Sequence, residues 1–196
     1  MARRLAARTR ILLYDRLGVG QSGPRHSSEA LLASTIADQL KALLEAAYLP
    51  APYLLVGHSL GGFYVQAFAR QYPNETAAVV LVDSASPFEP PSAFSSTVPS
   101  NPGSISAVEE AGFAPSAAAM LAGPPFPPVP LIVRAAAEHD AVPELEGLWR
   151  EVQAQTAALS PRGRLCIVEG AGHFIQNDRP QIVVGAVLDE MREAGF

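Results

Sequence analysis

The chain has 196 residues, 48% of them hydrophobic and 17% charged, which suffices for one packed core and excludes two large domains. Lys and Arg number 14 against 19 Asp and Glu, and the net charge of -5 provides no positive field for a polyanion, so nucleic acid is not an expected partner. The single cysteine, Cys166, allows no internal disulfide and no cysteine-rich metal site, and no apolar run approaches the ~20 residues that cross a bilayer; a soluble, cytoplasmic protein without a membrane partner is expected.

Met1 to Arg10 carries Arg3, Arg4, Arg8 and Arg10 without an acid. This superficially resembles a transit peptide, but Arg8, Thr9 and Arg10 interrupt any apolar stretch, and the segment reads as the solvated end of a helix. The run Arg10-Ile11-Leu12-Leu13-Tyr14, with β-branched and aromatic residues, predicts a buried strand. From Ser27 the spacing becomes helical: Leu32, Ile36, Leu40, Leu43, Leu44 and Ala47 share a face, Ser27 or Ser28 can cap the start, and Pro50 and Pro52 end it.

Tyr53 to Val56 is the next apolar strand, followed by Gly57-His58-Ser59-Leu60-Gly61-Gly62 and a helical pattern to Tyr72. Further strands are predicted at Ala78–Val82, Leu131–Val133 and Leu165–Val168, and further helices at Leu145–Leu159 and Pro180–Met191, the last capped by Asp178. Apolar strands alternating with amphipathic helices imply a mainly parallel sheet covered on both faces, a three-layer α/β/α arrangement. Residues 1–196 form one domain in this reading. Ala85 to Pro128 breaks the alternation: it is proline-rich, holds no Lys, Arg or His, carries only Glu89, Glu109 and Glu110 as charges, and contains the Ala-rich stretch Ile105–Leu121. It is expected to be a small lid insertion over the strand ends.

Gly57-His58-Ser59-Leu60-Gly61 lies between a strand and a helix, the context of a nucleophile elbow of the G-x-S-x-G type. Small residues two before and two after the serine, Gly57 and Gly61, let strand and helix pack closely while Oγ projects alone. The same turn puts the Leu60 N–H at a helix N-terminus, where it can donate to an oxyanion. A serine hydroxyl needs a base. Of His26, His58, His139 and His173, His58 sits in the elbow with its side chain diverging from Ser59, and His139 lies beside a candidate acid. His173 follows a strand in the glycine-rich Glu169-Gly170-Ala171-Gly172-His173-Phe174, at a strand's C-terminal end like Ser59, and is the expected base. Two carboxylates fit the third role of orienting the imidazole, Asp140 after Leu131–Val133 and Asp83 at the end of Val79–Val82, and spacing leaves both open.

These pieces resemble the α/β hydrolase superfamily, in particular its serine hydrolases of the esterase, lactonase and peptidase-like kind. The order Ser, acid, His matches that family, Tyr14-Asp15-Arg16-Leu17-Gly18-Val19-Gly20-Gln21-Ser22 looks like one of its loops, and Gly172-His173-Phe174-Ile175-Gln176 looks like its histidine loop. The resemblance favours Asp140 as the acid, the position most common in the family, while some members place it where Asp83 stands. It also implies that the family's N-terminal strands, with a His-Gly loop supplying a second oxyanion donor, are missing, so that the fold is N-terminally truncated. Loss of one such donor costs about 10²- to 10³-fold in rate.

The expected activity is acyl transfer to water from a small apolar carboxylic ester or amide, by Ser59, His173 and Asp140 with no metal or organic cofactor and with a small-molecule substrate as partner. The alternative is a catalytically impaired or silent hydrolase-like protein. A third reading, dinucleotide binding through Gly18, Gly20 and Gly23 in Gly18-Val19-Gly20-Gln21-Ser22-Gly23, is disfavoured, since Pro24, Arg25 and His26 delay the helix and the next strand ends in Gly57-His58 rather than a carboxylate.

Overall fold

The computed structural model describes residues 1–90, 100–101, 103–139 and 143–196. Four strands, β1 (Tyr53–His58), β2 (Thr76–Val82), β3 (Leu131–Ala136) and β4 (Gly163–Val168), form one sheet in the order β1-β2-β3-β4. Every pairing is parallel, with Gly57 opposite Leu81, Leu81 opposite Val133 and Val133 opposite Leu165. The helices are α1 (Ala2–Leu5), α2 (Ala33–Ala46), α3 (Leu60–Gln71), α4 (Ile105–Ala122), α5 (Pro143–Ala157), α6 (Ile175–Asp178) and α7 (Pro180–Ala194).

Strand residues alternate between two cores. Leu55, Val79, Leu81, Leu131 and Val133 pack against Ala37, Leu40 and Leu44 of α2, Val65, Phe68 and Ala69 of α3, and Ala157 of α5. Val80, Val82, Ile132 and Val168 point the other way, onto Val183, Ala186 and Val187 of α7. Helices therefore cover both faces, which is why β2 and β3 are apolar at nearly every position rather than at alternate ones.

The expected strand at Arg10–Tyr14 does not form. Residues 10–16 carry no regular structure, and Ile11, Leu13 and Tyr14 are 36%, 76% and 40% exposed. A β-branched run becomes a strand only where a neighbouring ladder receives it, and among the described residues none lies on the outer edge of β1. Val56 of β1 is left 45% exposed.

Two expected caps are also replaced. α2 begins at Ala33, with Leu32 rather than Ser27 or Ser28 at the cap position, and its Ala33 N–H donates to the buried Ser116 hydroxyl of α4 at 2.9 Å. Beside it the Leu31 N–H donates to the Val108 carbonyl at 2.8 Å, and a Cβ on Gly112 would lie 2.0 Å from the Leu31 carbonyl oxygen, so glycine alone permits this approach. α7 starts after Arg179, with no side-chain cap, because Asp178 accepts instead from the Gly172 N–H at 3.0 Å and braces the loop that carries His173.

Segment 85–128 holds α4, capped by Ser104, whose Oγ accepts from the Ala107 N–H. Val108, Ala117 and Met120 bury against Leu31, Ala33, Ile36, Phe63, Tyr64 and Ala67, with Leu60 and Ala85 packed alongside. Phe113 stacks on Phe63 at 4.4 Å between centroids. Arg16 ties the preceding loop to this helix through Glu109, at 3.0 Å from Nε, and lies 5.0 Å over the Tyr64 ring.

Candidate active site

Ser59 stands between β1 and α3 with φ 52° and ψ -130°, a left-handed conformation that costs a non-glycine residue roughly 1–3 kcal/mol and persists only where its surroundings enforce it. Here they do. The Ser59 N–H donates to Val82 at 3.2 Å, and its carbonyl accepts from Gly62 at 2.9 Å and from Ala85 at 3.1 Å, so the turn is fixed to the end of β2. Gln66 of α3 donates from Nε2 to the Ala85 carbonyl at 2.9 Å and reinforces the same junction.

The close packing of this turn comes from Gly57 and Gly62. A Cβ on Gly57 would lie 2.5 Å from the Gly62 Cα, and one on Gly62 would lie 2.0 Å from Ser84 Oγ, whereas Gly61 has nothing within 4 Å. The second glycine of the expected elbow pair is therefore not the one that permits the approach. Leu60 opens α3 and presents its N–H at the helix N-terminus.

His173 lies between β4 and α6, its side chain 38% exposed. Its Nδ1–H donates to Asp83 Oδ2 at 2.7 Å, which leaves Nε2 for other chemistry. His58 reaches the same loop: its Nε2–H donates to the His173 carbonyl at 2.8 Å, and its ring lies 4.6 Å from that of His173 and 5.4 Å from that of Phe174. Burial lowers the pKa of His58, in keeping with a neutral ring that donates one proton. Among the described residues, no hydrogen bond joins Ser59 Oγ to His173.

Asp83 directly follows β2, itself at φ 42° and fully buried, with its N–H donating to the Arg134 carbonyl at 2.7 Å. Oδ1 accepts from the Ala136 N–H at 2.8 Å and the Trp149 indole at 3.1 Å; Oδ2 accepts from His173 Nδ1 and, at 2.8 Å, from His139 Nε2. Burial alone raises this carboxyl's pKa, but the hydrogen bonds from His139, His173 and Ala136 outweigh it and pull the value down to about 2. Asp140, the other candidate acid, lies outside the described residues.

Glu146 of α5 closes the far side of His139. Oε2 faces Nδ1 at 3.0 Å and Oε1 accepts the His139 backbone N–H at 2.7 Å. Neither His139 nor Glu146 stands out in the sequence, because a histidine between two non-adjacent carboxylates leaves no spacing signature. The potential ligand atoms of Asp83, His139 and His173 lie within 4.8 Å of one another. In both histidines the nitrogen that faces Asp83 is engaged as a donor to the one oxygen, Oδ2, so the cluster is a hydrogen-bonded chain.

The Gly18–Gly23 loop is filled from within. Gly20 has φ 55°, a Cβ there would lie 2.2 Å from Asp15 Oδ2, and that carboxylate accepts the Gln21 N–H at 3.0 Å. α2 opens only at Ala33, so the motif has no helix N-terminus to offer a pyrophosphate.

A parallel sheet between helical layers, with a strained serine at the strand-to-helix turn and a histidine loop at the same end, defines an α/β architecture of hydrolase type. The family model described as the alpha/beta hydrolase fold matches residues 1–124, and the chain belongs to that family. Among solved structures it is similar to a thermophilic esterase from Thermogutta terrifontis, with TM-score 0.76 and 19% identity over 98% of this chain and 83% of that one. An E-2-(acetamidomethylene)succinate hydrolase gives TM-score 0.62 and 19% identity over 91% of this chain and 80% of that one. An esterase from Exiguobacterium antarcticum gives 0.61 and 15% over 89% and 78%. Curated relatives include uncharacterized proteins of Schizosaccharomyces pombe, 34% identical over 82 residues, and of Bacillus subtilis, 35% identical over 75 residues. These matches take in 42% and 38% of this chain, and they span only 15% and 29% of those proteins' lengths. No helix among the described residues is long and apolar enough to cross a membrane.

Proposed function

We propose that this chain is a serine hydrolase that cleaves a small apolar carboxylic ester or amide through an acyl-enzyme, with Ser59 as nucleophile, His173 as base and Asp83 as the orienting acid. The observation that carries the reading is the 2.7 Å bond from His173 Nδ1 to a buried Asp83 carboxylate, on a loop that His58 holds against the elbow of Ser59. Asp83 takes the place that the family resemblance assigned to Asp140.

In this mechanism Ser59 Oγ bonds to the substrate's carbonyl carbon as its proton passes to His173 Nε2, and the Leu60 N–H stabilises the oxyanion. Collapse breaks the bond to the leaving group, which takes the proton from Nε2. Water then repeats the sequence and releases the acid, while Asp83 remains ionised and fixes the ring. The near absence of charge in segment 85–128, together with the packing of α4 beside Leu60 and Ala85, supports a lid over an apolar acyl group and disfavours a phosphorylated substrate.

A fluorophosphonate probe tests the nucleophile: the wild-type protein is labelled and Ser59→Ala is not. Equal labelling of the two overturns the assignment. The second reading, a hydrolase-like protein without turnover, is favoured by the missing bond between Ser59 Oγ and His173. It predicts no labelling of either protein, although such bonds often close only when substrate is bound.

A further inference from the structure

We propose that His139 is a positioning residue: a standing imidazolium, locked between Asp83 and Glu146, that holds the orienting carboxylate and sets the charge against which His173 works. The inference rests on the hydrolase reading for its effect on rate, and on geometry for the state of His139 itself.

The donor count carries it. His139 Nε2 lies 2.8 Å from Asp83 Oδ2 and Nδ1 lies 3.0 Å from Glu146 Oε2. An ionised carboxylate only accepts, and a neutral imidazole has one N–H, so one of these two contacts would set a lone pair against a carboxylate oxygen unless both nitrogens are protonated. The Asp83 oxygens already take bonds from His173, Ala136 and Trp149, which holds that acid ionised, and in the His139–Glu146 contact the proton resides on the ring, imidazole being ordinarily the stronger base. Among the described residues, the charged or titratable groups facing His139 are Asp83 from the end of β2, Glu146 from α5, and His173 from the loop after β4, whose ring is 6.5 Å away. Trp149 of α5 completes the enclosure, with its ring 5.2 Å from that of His139 in edge-on contact. Glu89, which the charge of Asp83 reaches, is pushed chiefly by burial up to about 7. The hydrogen bond to Asp83 and then that to Glu146 raise His139 to about 9 against the opposing effect of burial, which agrees with the donor count.

Two consequences follow. The clamp ties α5 to the Asp83 end of β2, so that the acid keeps one orientation while His173 changes charge. A cation already bonded to Oδ2 also opposes the second positive charge that His173 acquires when it takes the serine proton.

Glu146→Gln separates charge from geometry, because a glutamine amide can donate to Nδ1 and allow a neutral His139 that still donates to Asp83. The first reading is the ring-nitrogen NMR spectrum at about pH 8, a pH above the ordinary histidine range. Wild-type His139 is expected to show two protonated nitrogens and Glu146→Gln one. In Glu146→Gln the acid limb of kcat/KM is expected to rise by about one pH unit, a typical displacement for loss of a neighbouring charge. A wild-type His139 with a single protonated nitrogen overturns the proposal, and so does an acid limb that stays in place in an active Glu146→Gln. Because the wild-type spectrum needs no substrate, it decides the state of His139 even if Ser59 takes no probe, and the two readings can fail separately.

Discussion

His58 donates from Nε2 to the main-chain carbonyl of His173 at 2.8 Å, joining the residue before the elbow serine to a loop 115 positions later in the chain. The bond fixes the backbone of that loop while the Asp83 carboxylate fixes the ring, so each part of His173 has its own restraint.

Removing the first restraint is expected to misplace the base without unfolding the protein. His58→Ala should lower kcat by about 10- to 100-fold, the scale of an ångström-sized displacement, with a smaller change in KM and a melting temperature within a few degrees of wild type. His58→Gln, whose amide can still donate to the carbonyl, should recover part of the loss. Steady-state kinetics alongside thermal melts check both.

Asp83→Asn and Asp140→Asn should separate sharply. With Asp83 as the orienting acid, its amide variant should lose about 10³- to 10⁴-fold in kcat and the Asp140 variant less than about 10-fold. The reverse order would return the role to Asp140.

The elbow glycines should rank by the space around them. Gly57→Ala and Gly62→Ala bring a Cβ to 2.5 Å of the Gly62 Cα and 2.0 Å of Ser84 Oγ, and are expected to cost about 2–4 kcal/mol in denaturant unfolding. Gly61→Ala meets nothing within 4 Å and should change stability by under about 1 kcal/mol, in the stabilising direction expected for alanine in a helix.

The clamp should also set the alkaline stability limit. The pKa of His139 is raised from 6.5 to about 9 in the folded protein, so its contribution is complete below pH 6.5 and is lost as pH rises through about 9. Asp83, depressed from 3.8 to about 2, contributes above pH 3.8 and loses that contribution as pH falls through about 2. Urea unfolding of wild type should therefore weaken between pH 6.5 and 9 more than unfolding of Glu146→Gln over the same window.

The four strands of the described sheet and helices α2, α3, α5 and α7 were legible because buried parallel strands and amphipathic helices write their periods into the sequence, whereas the single turn α6 was not. The places of Ser59 at a strand-to-helix turn and of His173 in the loop after β4 were legible because an elbow and a glycine-rich loop have fixed local contexts. What local reading missed depends on partners distant in the chain. The Arg10–Tyr14 run has strand propensity and no ladder to join. The cap of α2 is Ser116 rather than a nearby serine, and Asp178 bonds Gly172 instead of capping α7. Gly61 matched the motif while Gly62 makes the contact. Asp83 and Asp140 could not be separated by spacing, and His139 gained its place only when β2 and α5 brought two carboxylates to its ring nitrogens.

The hydroxyl of Ser116 on Ala33 gives α2 a start that is supplied 83 positions downstream. As the chain leaves the ribosome, residues 33–46 emerge with their first turn unfinished, and it is completed only once α4 arrives with Ser116, Gly112 and the Val108 carbonyl together. Amide exchange at Ala33 and Leu31 should thus follow the opening of α4 rather than fraying of α2 itself, making the amino end of α2 and the segment above the elbow one cooperative unit.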